Sequence, residues 1–325
     1  DGVAGVEPQT ETNWRPANQY NVPRLCYVNK MDRMGANFTH CVKGIKERLS
    51  SKAVVCHVPL GSYDEFVGMA DLVAGVAYVW SSEDKDSVWE TVPLDKLDGR
   101  FTFASAGDNA WVKRIPELRQ EVLEHALALN EDAFMEFVEN GKFDPAVLKA
   151  CIRKGTINGE FVPIFCGSSF KNKGVQQLLD AVIDYLPYPG ENGGISMVDP
   201  DGKVIGEQEV RDDAPARALA FKVINDQFGT LTFVRVYSGV IKKGDTLANV
   251  TRGRKERIGR IVEVQASATK DIDECRAGDI CAFVSMKETE TGDSLSDPDH
   301  PALLERMRFP DPVISVSVEP KARAA

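Results

Sequence analysis

The stretch that decides the fold reads Leu25-Cys26-Tyr27-Val28-Asn29-Lys30-Met31-Asp32, a short apolar run followed by a polar turn. The run has the composition of a buried strand, and a helix-like segment, 37–49, follows the turn. A carboxylate at such a strand end offers two acceptors that match the ring N1–H and the exocyclic amino group of guanine. Adenine lacks this pair of donors and would leave the carboxylate desolvated and unpaired. We therefore predict a guanine-reading loop, in which Asp32 selects the base, Asn29 braces the loop and the stem of Lys30 lies over the ring. An ordinary polar strand-to-helix loop is the less favoured alternative.

A second apolar run, Phe161 to Cys166, ends in Gly167-Ser168-Ser169-Phe170-Lys171. The small side chain of Ser169 lets its backbone N–H approach O6 of a guanine, and the hydroxyl of Ser168 is suited to orient the Asp32 carboxylate. Taken alone, the two serines fit a helix N-cap equally well, but beside the first loop the base-site interpretation is favoured. An amphipathic helix follows, and its apolar positions share one face: Val175, Leu178, Leu179, Val182, Ile183 and Leu186. Two strand–loop–helix units of this kind indicate a doubly wound nucleotide fold.

Blocks along the whole chain resemble bacterial-type elongation factor G, namely 5–12, 28–38, 167–176, 228–239 and 309–316. The resemblance implies a ribosome-dependent GTPase that binds GTP or GDP, uses Mg²⁺ and drives the movement of tRNA and mRNA after peptide-bond formation. Ser169 stands where the family usually has alanine, which is a mild departure because the contact uses the backbone.

The phosphate-binding part of such a site is missing from the sequence. No Gly-x-x-x-x-Gly-Lys-Ser/Thr loop occurs. The Asp-x-x-Gly pattern of a γ-phosphate sensor is present at 32–35 and 199–202, but these segments match it in residue type alone. We therefore expect no catalytic residue and no metal ligand in this chain, and no GTP hydrolysis by this chain alone. Since Asp1 corresponds to a position within a domain of the family, we expect an internal stretch of a longer protein.

Composition limits the function classes without choosing among them. The chain has 325 residues, 43% of them apolar, and a net charge of −10, which gives no general nucleic-acid signature. Positive charge is concentrated in one cluster, which consists of Arg252, Arg254, Lys255, Arg257 and Arg260. On charge alone, contact with rRNA of the small ribosomal subunit and a solvated hairpin are about equally supported, and the family resemblance favours contact.

Seven cysteines without Cys-x-x-Cys spacing argue for a reducing compartment. No apolar segment approaches the length of a transmembrane span, so we expect no membrane partner. We expect a monomer located in the bacterial cytoplasm or in an organellar matrix or stroma.

The two predicted base loops lie more than a hundred residues apart, too far for a single α/β step. We assign 1–57 and 161–190 to a partial, discontinuous P-loop-type GTPase domain and 58–160 to an inserted α+β subdomain. The insertion has strand-like runs at 70–80, 87–92 and 101–104, then helices, one of them beginning near Pro145. It resembles the subdomain that separates elongation factor G from elongation factor Tu. Its acidic positions suggest contact with the ribosomal stalk protein, although a solvated face is slightly favoured: Glu117, Glu121, Glu124, Glu131, Asp132, Glu136 and Glu139.

Proline and glycine mark a linker at 186–194, and we extend this linker or lead-in over 191–215. Short strand patterns over 216–308 indicate an antiparallel β-barrel that resembles the second domain of translational GTPases. Its predicted strands are 218–224, 230–237, 246–250, 257–264 and 280–284. The segment 309–325 has the pattern of the first strand of a truncated third domain.

Two alternatives remain open. A ribosomal-protection or release-factor GTPase would share the fold, and the run 31–37 disfavours it. A non-catalytic ribosome-binding module would also keep the fold but would bind no guanine nucleotide.

Overall fold

The computed structural model describes residues 1–50, 52–82, 88–97, 99–226, 229–266, 268–305, 307 and 314–318. The chain divides into two compact units, Asp1–Pro187 and Tyr188–Ala325. The first unit is mixed α/β and the second consists mainly of β-strands. No helix among the described residues is both long enough and apolar enough to cross a bilayer.

The first unit contains seven strands and seven α-helices within its described residues. The strands are β1 (Cys26–Val28), β2 (Ala53–Val55), β3 (His57–Leu60), β4 (Gly68–Asp71), β5 (Val76–Trp80), β6 (Trp89–Pro93) and β7 (Val162–Cys166). The helices are α1 (Pro8–Gln19), α2 (Phe38–Gly44), α3 (Ala106–Lys113), α4 (Ile115–Leu127), α5 (Glu131–Asn140), α6 (Pro145–Ile157) and α7 (Val175–Tyr185).

A three-stranded parallel sheet in the order β1-β7-β2 carries both predicted base loops. All residues of β2 and β7 are buried, which explains why they read as continuous apolar runs in the sequence. Helix α2 follows the first loop as predicted, and the side chain of Asn37 caps it by accepting a hydrogen bond from the amide of His40 at 2.9 Å. A wider helical turn, Ile45–Leu49, extends this helix.

Strands β3 to β6 form a separate antiparallel sheet in chain order, and α3 to α6 follow it. Buried side chains of this segment, including Val58, Leu72 and Leu148, belong to the same hydrophobic core as Val28 and Ile164. The segment 58–160 therefore has its own sheet and helices but shares a core with the parallel sheet.

Local contacts explain two differences from the predicted strands of this segment. The run 70–80 is interrupted by a turn, because Asp71 accepts hydrogen bonds from the amides of Val73 and Ala74 at 2.9 and 2.8 Å. The run 101–104 is not a strand, since the amide of Phe103 donates to Oδ1 of Asn109 in α3 at 2.9 Å. Of the predicted strand 87–92, Ser87 lies outside the described residues, Val88 is not in a strand, and 89–92 belong to β6.

The apolar face predicted for α7 is wrong in its orientation. Gln177, Ala181 and Tyr185, spaced four residues apart, are the buried positions, whereas Leu179 and Ile183 are 57% and 74% exposed. The sequence correctly predicts an amphipathic helix, but the stripe that meets the sheet lies to one side of the most apolar stripe.

The second unit contains thirteen strands among its described residues, joined by turns. They are β8 (Ile195–Val198), β9 (Val204–Gln208), β10 (Arg217–Asp226), β11 (Gly229–Ser238), β12 (Val240–Lys242), β13 (Thr246–Asn249), β14 (Arg254–Arg257), β15 (Ile261–Gln265), β16 (Ala268–Ile272), β17 (Glu274–Arg276), β18 (Ile280–Val284), β19 (Ser294–Ser296) and β20 (Leu303–Leu304). Eight of them form an antiparallel sheet in the order β14-β13-β19-β10-β11-β18-β15-β16. Its core includes Val234, Ile258, Phe283 and Leu295. The prediction of an antiparallel β region is therefore confirmed.

Two predicted segments of this unit differ from the structure, and a third lies mostly outside the described residues. The linker 191–215 is more ordered than predicted, because β8 and β9 pair with each other and β8 pairs with β20. The predicted strand 257–264 is divided between β14 and β15. Most of 309–325 lies outside the described residues, and the described part, 314–318, is exposed and forms no strand.

Candidate purine-base site

The two predicted base loops leave neighbouring strands at the same edge of the parallel sheet. Val28 ends β1 opposite Cys166, which ends β7. The amide of Gly167 donates to the carbonyl of Val28 at 3.1 Å, and the amide of Met31 donates to the carbonyl of Gly167 at 3.2 Å. Parallel pairing thus continues from the strands into the loops and fixes their relative position.

Asn29 joins the loops through its side chain. Its Nδ2 donates to Oγ of Ser169 at 2.9 Å, while its Oδ1 accepts from the amide of Ser169 at 3.0 Å and from the amide of Lys30 at 2.8 Å. These contacts hold the two loops together. They also occupy the Ser169 amide that the sequence assigned to O6 of the base.

Asp32 provides an acceptor without a partner in the described structure. Its Oδ1 is buried and forms no hydrogen bond there. A buried carboxylate oxygen without a donor is costly, so this atom is suited to receive a donor from a ligand. A guanine presents such donors on its Watson–Crick edge.

Lys30 and Ser168 differ from the expected arrangement. The ammonium of Lys30 forms an ion pair with the carboxylate of Asp1, and the residue has a left-handed backbone with φ of 67°. Ser168 is fully buried, and its Oγ accepts from the amide of Lys171 at 3.2 Å. Among the described contacts, no hydrogen bond joins Ser168 to Asp32, so the predicted orienting contact is not formed.

Sequence reasoning missed three residues that shape the loops. The hydroxyl of Tyr27 donates to the carbonyl of Lys173 at 3.4 Å. Burial raises the pKa of the Tyr27 phenol, and the nearby Cys166 and Asp32 raise it further. A Cβ on Gly167 would lie 2.2 Å from the Tyr27 hydroxyl, so the close approach requires glycine. Tyr27 could not be recognised from the sequence because it lies within an apolar strand pattern, and Lys173 could not because it lies in a polar loop.

The predicted basic cluster lies in the second unit, where most of its guanidinium groups are paired with carboxylates. Arg252 bonds to Glu290 and, through Nε at 2.7 Å, to Asp293, and Arg254 bonds to Glu288 at 2.7 Å. Arg260 lies 2.6 Å from Asp271, and this guanidinium lowers the pKa of the Asp271 carboxyl.

Lys255 and Arg257 are the exceptions. They alternate with the buried Glu256 on β14, so both side chains project from the same face of that strand. Neither has a carboxylate partner among the described residues, and Arg257 donates to the carbonyl of Gly244 at 3.2 Å. Lys255 and Arg257 are therefore the members of the cluster that remain suited to phosphate contact.

No group of three or more potential metal-ligating side chains occurs within the described residues. The thiol of Cys26 on β1 is also a weak candidate for ligation, because burial raises its pKa to about 12.

Both units of the chain match known protein families. Residues 1–188 match the family model of the elongation factor Tu GTP binding domain, and residues 229–296 match that of elongation factor Tu domain 2. Elongation factor G of Gluconobacter oxydans is 47% identical over 330 residues, which cover 100% of this chain and 45% of that protein. Elongation factor G of Granulibacter bethesdensis is 47% identical over 333 residues, which cover 100% of this chain and 46% of that protein.

A crystal structure of a protein from Thermus thermophilus has a similar fold, with a TM-score of 0.75 and 24% sequence identity over 99% of this chain and 43% of that chain. The chain spans less than half the length of the elongation factors G that it matches. Its family-model match extends over the whole first unit, including both base loops. The chain therefore belongs to the family of the elongation factor Tu GTP binding domain, and it is similar to elongation factor G from end to end.

Proposed function

We propose that this chain is the central part of a ribosome-dependent translation elongation factor that couples GTP hydrolysis to the movement of tRNA and mRNA. Similarity to elongation factor G over the whole chain supports this function, as does the order of a GTP-binding unit followed by a domain 2 match. The relatives' greater length leaves room for further domains of the same factor. We propose further that it acts as a monomer in the bacterial cytoplasm or an organellar matrix or stroma.

The observation that carries the proposal is the unpartnered Oδ1 of Asp32 beside the joined loops. In the proposed complex, Asp32 accepts from N1–H and the exocyclic amino group of guanine. Asn29 holds the loops at the correct separation, and the stem of Lys30 covers one face of the ring. Ser168 and Ser169 form the opposite wall, where the Ser169 amide, which donates to Asn29 in this structure, would turn toward O6 of the bound base.

Hydrolysis requires groups that the sequence does not contain. We propose that GTP or GDP binds here through its base, while the phosphates and Mg²⁺ are held by residues outside this chain. The absence of a Gly-x-x-x-x-Gly-Lys-Ser/Thr loop from the sequence supports this division. This chain alone is then inactive toward GTP.

Ribosome contact is proposed at two surfaces. Lys255 and Arg257 on β14 would bind rRNA phosphates of the small subunit. The stalk protein would bind the inserted segment, where α4 and α5 border a groove of about 570 Å³ lined in part by Phe134, Phe137 and Val138. Of the acidic positions, Glu117 is bonded to Arg114 and Glu121 to Lys46, whereas Glu131, Asp132, Glu136 and Glu139 are exposed.

The test is the Asp32→Asn variant of the intact protein. An amide at this position would donate toward C2 of the base and so favour xanthine, which has an oxygen there. We expect the preference for GTP over XTP to be reversed in nucleotide-dependent activity on ribosomes, whereas Asp95→Asn, at an exposed acid, keeps the wild-type preference. A variant that still preferred GTP would remove Asp32 from the base site.

A further inference from the structure

Both base loops are attached to one short segment of the inserted sheet region, Gly61–Phe66. The amide of Tyr63 donates to the carbonyl of Met31 at 2.8 Å, in the first loop. Nζ of Lys173 donates to the carbonyl of Phe66 at 3.0 Å, from the end of the second loop. In addition to the hydrogen bonds that join them directly, both loops are therefore held by a segment that contributes no residue to the predicted base contacts.

Lys173 is unusual because it is a buried cation. The residue is 1% exposed, and its ammonium lies 5.8 Å from the centre of the Phe66 ring. An ammonium is costly to bury unless hydrogen bonds replace its water, so the contact with Phe66 holds the side chain in one position. Without the charge, the Lys173 side chain would no longer be held in that position.

The backbone of Lys173 closes the loop that contains Ser169. Lys173 and Ser168 exchange two backbone hydrogen bonds, each of 2.9 Å, and the Lys173 carbonyl also accepts from the hydroxyl of Tyr27. The buried ammonium and the loop backbone thus belong to one residue, and movement of the first would be transmitted to the second.

The supporting segment is itself held in one conformation. Gly61 has φ of 84°, and a Cβ there would lie 2.1 Å from the carbonyl oxygen of Glu65. Ser62 donates through Oγ to Asp108 of α3 at 2.7 Å. Phe66 is 1% exposed. The segment is therefore a fixed support to which the loops can be attached.

We propose that Lys173 is a positioning residue of the purine site, whose ammonium anchors the Ser168–Lys173 loop to Phe66 and so sets the lifetime of the bound guanine nucleotide. Lys173 acts through the loop and does not touch the base. The proposal rests on the proposed guanine-binding function.

The test is Lys173→Met in the intact protein, which keeps most of the apolar stem and removes the ammonium. With fluorescently labelled GDP in stopped flow, we expect dissociation to accelerate about tenfold, as for loss of a charge-assisted hydrogen bond that holds a recognition loop. Discrimination between GDP and 6-thio-GDP, in which sulfur replaces O6 while N1–H and the amino group are kept, should also weaken. Lys43→Met, at a side chain that is 69% exposed, serves as the matched control and should keep the wild-type rate.

Leu148→Ala separates positioning from general stability. Leu148 is fully buried in the same hydrophobic core but lies in α6, outside both base loops and outside Gly61–Phe66. Its truncation should therefore lower the unfolding temperature while GDP dissociation stays close to wild type. If Leu148→Ala accelerated dissociation as much as Lys173→Met at a similar unfolding temperature, Lys173 would have a structural role alone. Lys173→Gln, which keeps a donor without charge, provides a second folded variant, and a wild-type rate in either folded Lys173 variant would overturn the proposal. Failure of the wild-type protein to bind GDP would instead refute the proposed function.

Discussion

Arg252 donates through Nε to Oδ2 of Asp293 at 2.7 Å, and this bond ties a residue of the predicted basic cluster to the interior of the second unit. The side chain of Asp293 is 5% exposed, and the same oxygen accepts from Asn249 and from the amide of Glu290, each at 2.9 Å. Arg252 therefore neutralises a nearly buried carboxylate. Its charge adds little to the outward positive potential that would attract nucleic acid.

Neutralising Lys255 and Arg257 together should weaken ribosome binding and reduce its dependence on salt. The slope of log affinity against log salt should fall by about one for each phosphate that is no longer bound, because fewer counterions are released on binding. Titration of the Lys255→Ala/Arg257→Ala variant with ribosomes at several salt concentrations measures this slope.

The matched control is Arg260→Ala, at a cation that is already paired with Asp271. We expect the wild-type slope from it. An unchanged salt dependence in the double variant, or an equal decrease in the control, would show that Lys255 and Arg257 face solvent and do not bind rRNA.

The position of the two loops at one edge of the parallel sheet could be predicted because their sequence signal is local. A short strand such as β1, which is partly buried, is recognised by its consecutive apolar residues, and the polar residues at its end appear directly after Val28 in the sequence. Parallel pairing with β7 then brings Asn29 close to Ser169 without any further information.

The contacts that sequence reasoning missed depend on partners distant in the chain. Strand β8 pairs with Leu303–Leu304, so the composition of 191–215 alone suggested a linker. Periodicity identified α7 as amphipathic but could not show which stripe meets the sheet. Lys173 reads as a solvated loop lysine until Phe66, far away in sequence, is placed against it.

Asp71 should make the first unit less stable at acid pH. Burial opposes its ionisation, but the nearby His57 imidazole, with Nε2 3.6 Å from Oδ2, and the hydrogen bonds from the amides of Val73 and Ala74 outweigh burial and lower its pKa. A carboxyl group whose pKa is lower in the folded state than in the unfolded state stabilises the folded protein at pH values above the unfolded-state pKa. This contribution is lost as the pH falls through the folded-state pKa.

We therefore expect Asp71→Asn to reduce the free energy of unfolding at pH 7 by about 1–2 kcal/mol. The difference from wild type should shrink below pH about 4, where an unfolded aspartate begins to bind its proton. Urea unfolding over a pH series measures both quantities. Asp95→Asn, at an exposed acid, is the control, and a pH-independent difference between Asp71→Asn and wild type would show that ionisation of Asp71 contributes nothing.

Gly167→Ala should disrupt the purine site directly. A methyl group there would lie 2.2 Å from the Tyr27 hydroxyl and 2.4 Å from the carbonyl oxygen of Lys173. The second contact is with backbone that is itself hydrogen-bonded, so the strain must displace the loop. Overpacking of this kind costs about 1–3 kcal/mol, and we expect a comparable loss of GDP binding free energy, measured by titration calorimetry on the intact protein.

Two variants show whether the loop backbone is the cause. Gly107→Ala lies in α3, where the added carbon would come no closer than 3.5 Å to Ser105, so it should leave GDP binding unchanged. Adding Tyr27→Phe to Gly167→Ala removes the hydroxyl contact but not the contact with the Lys173 carbonyl. Because that second contact persists, we expect the double variant to recover only part of the lost affinity. Full recovery would place the strain in the Tyr27 side chain and leave the position of the loop unaffected.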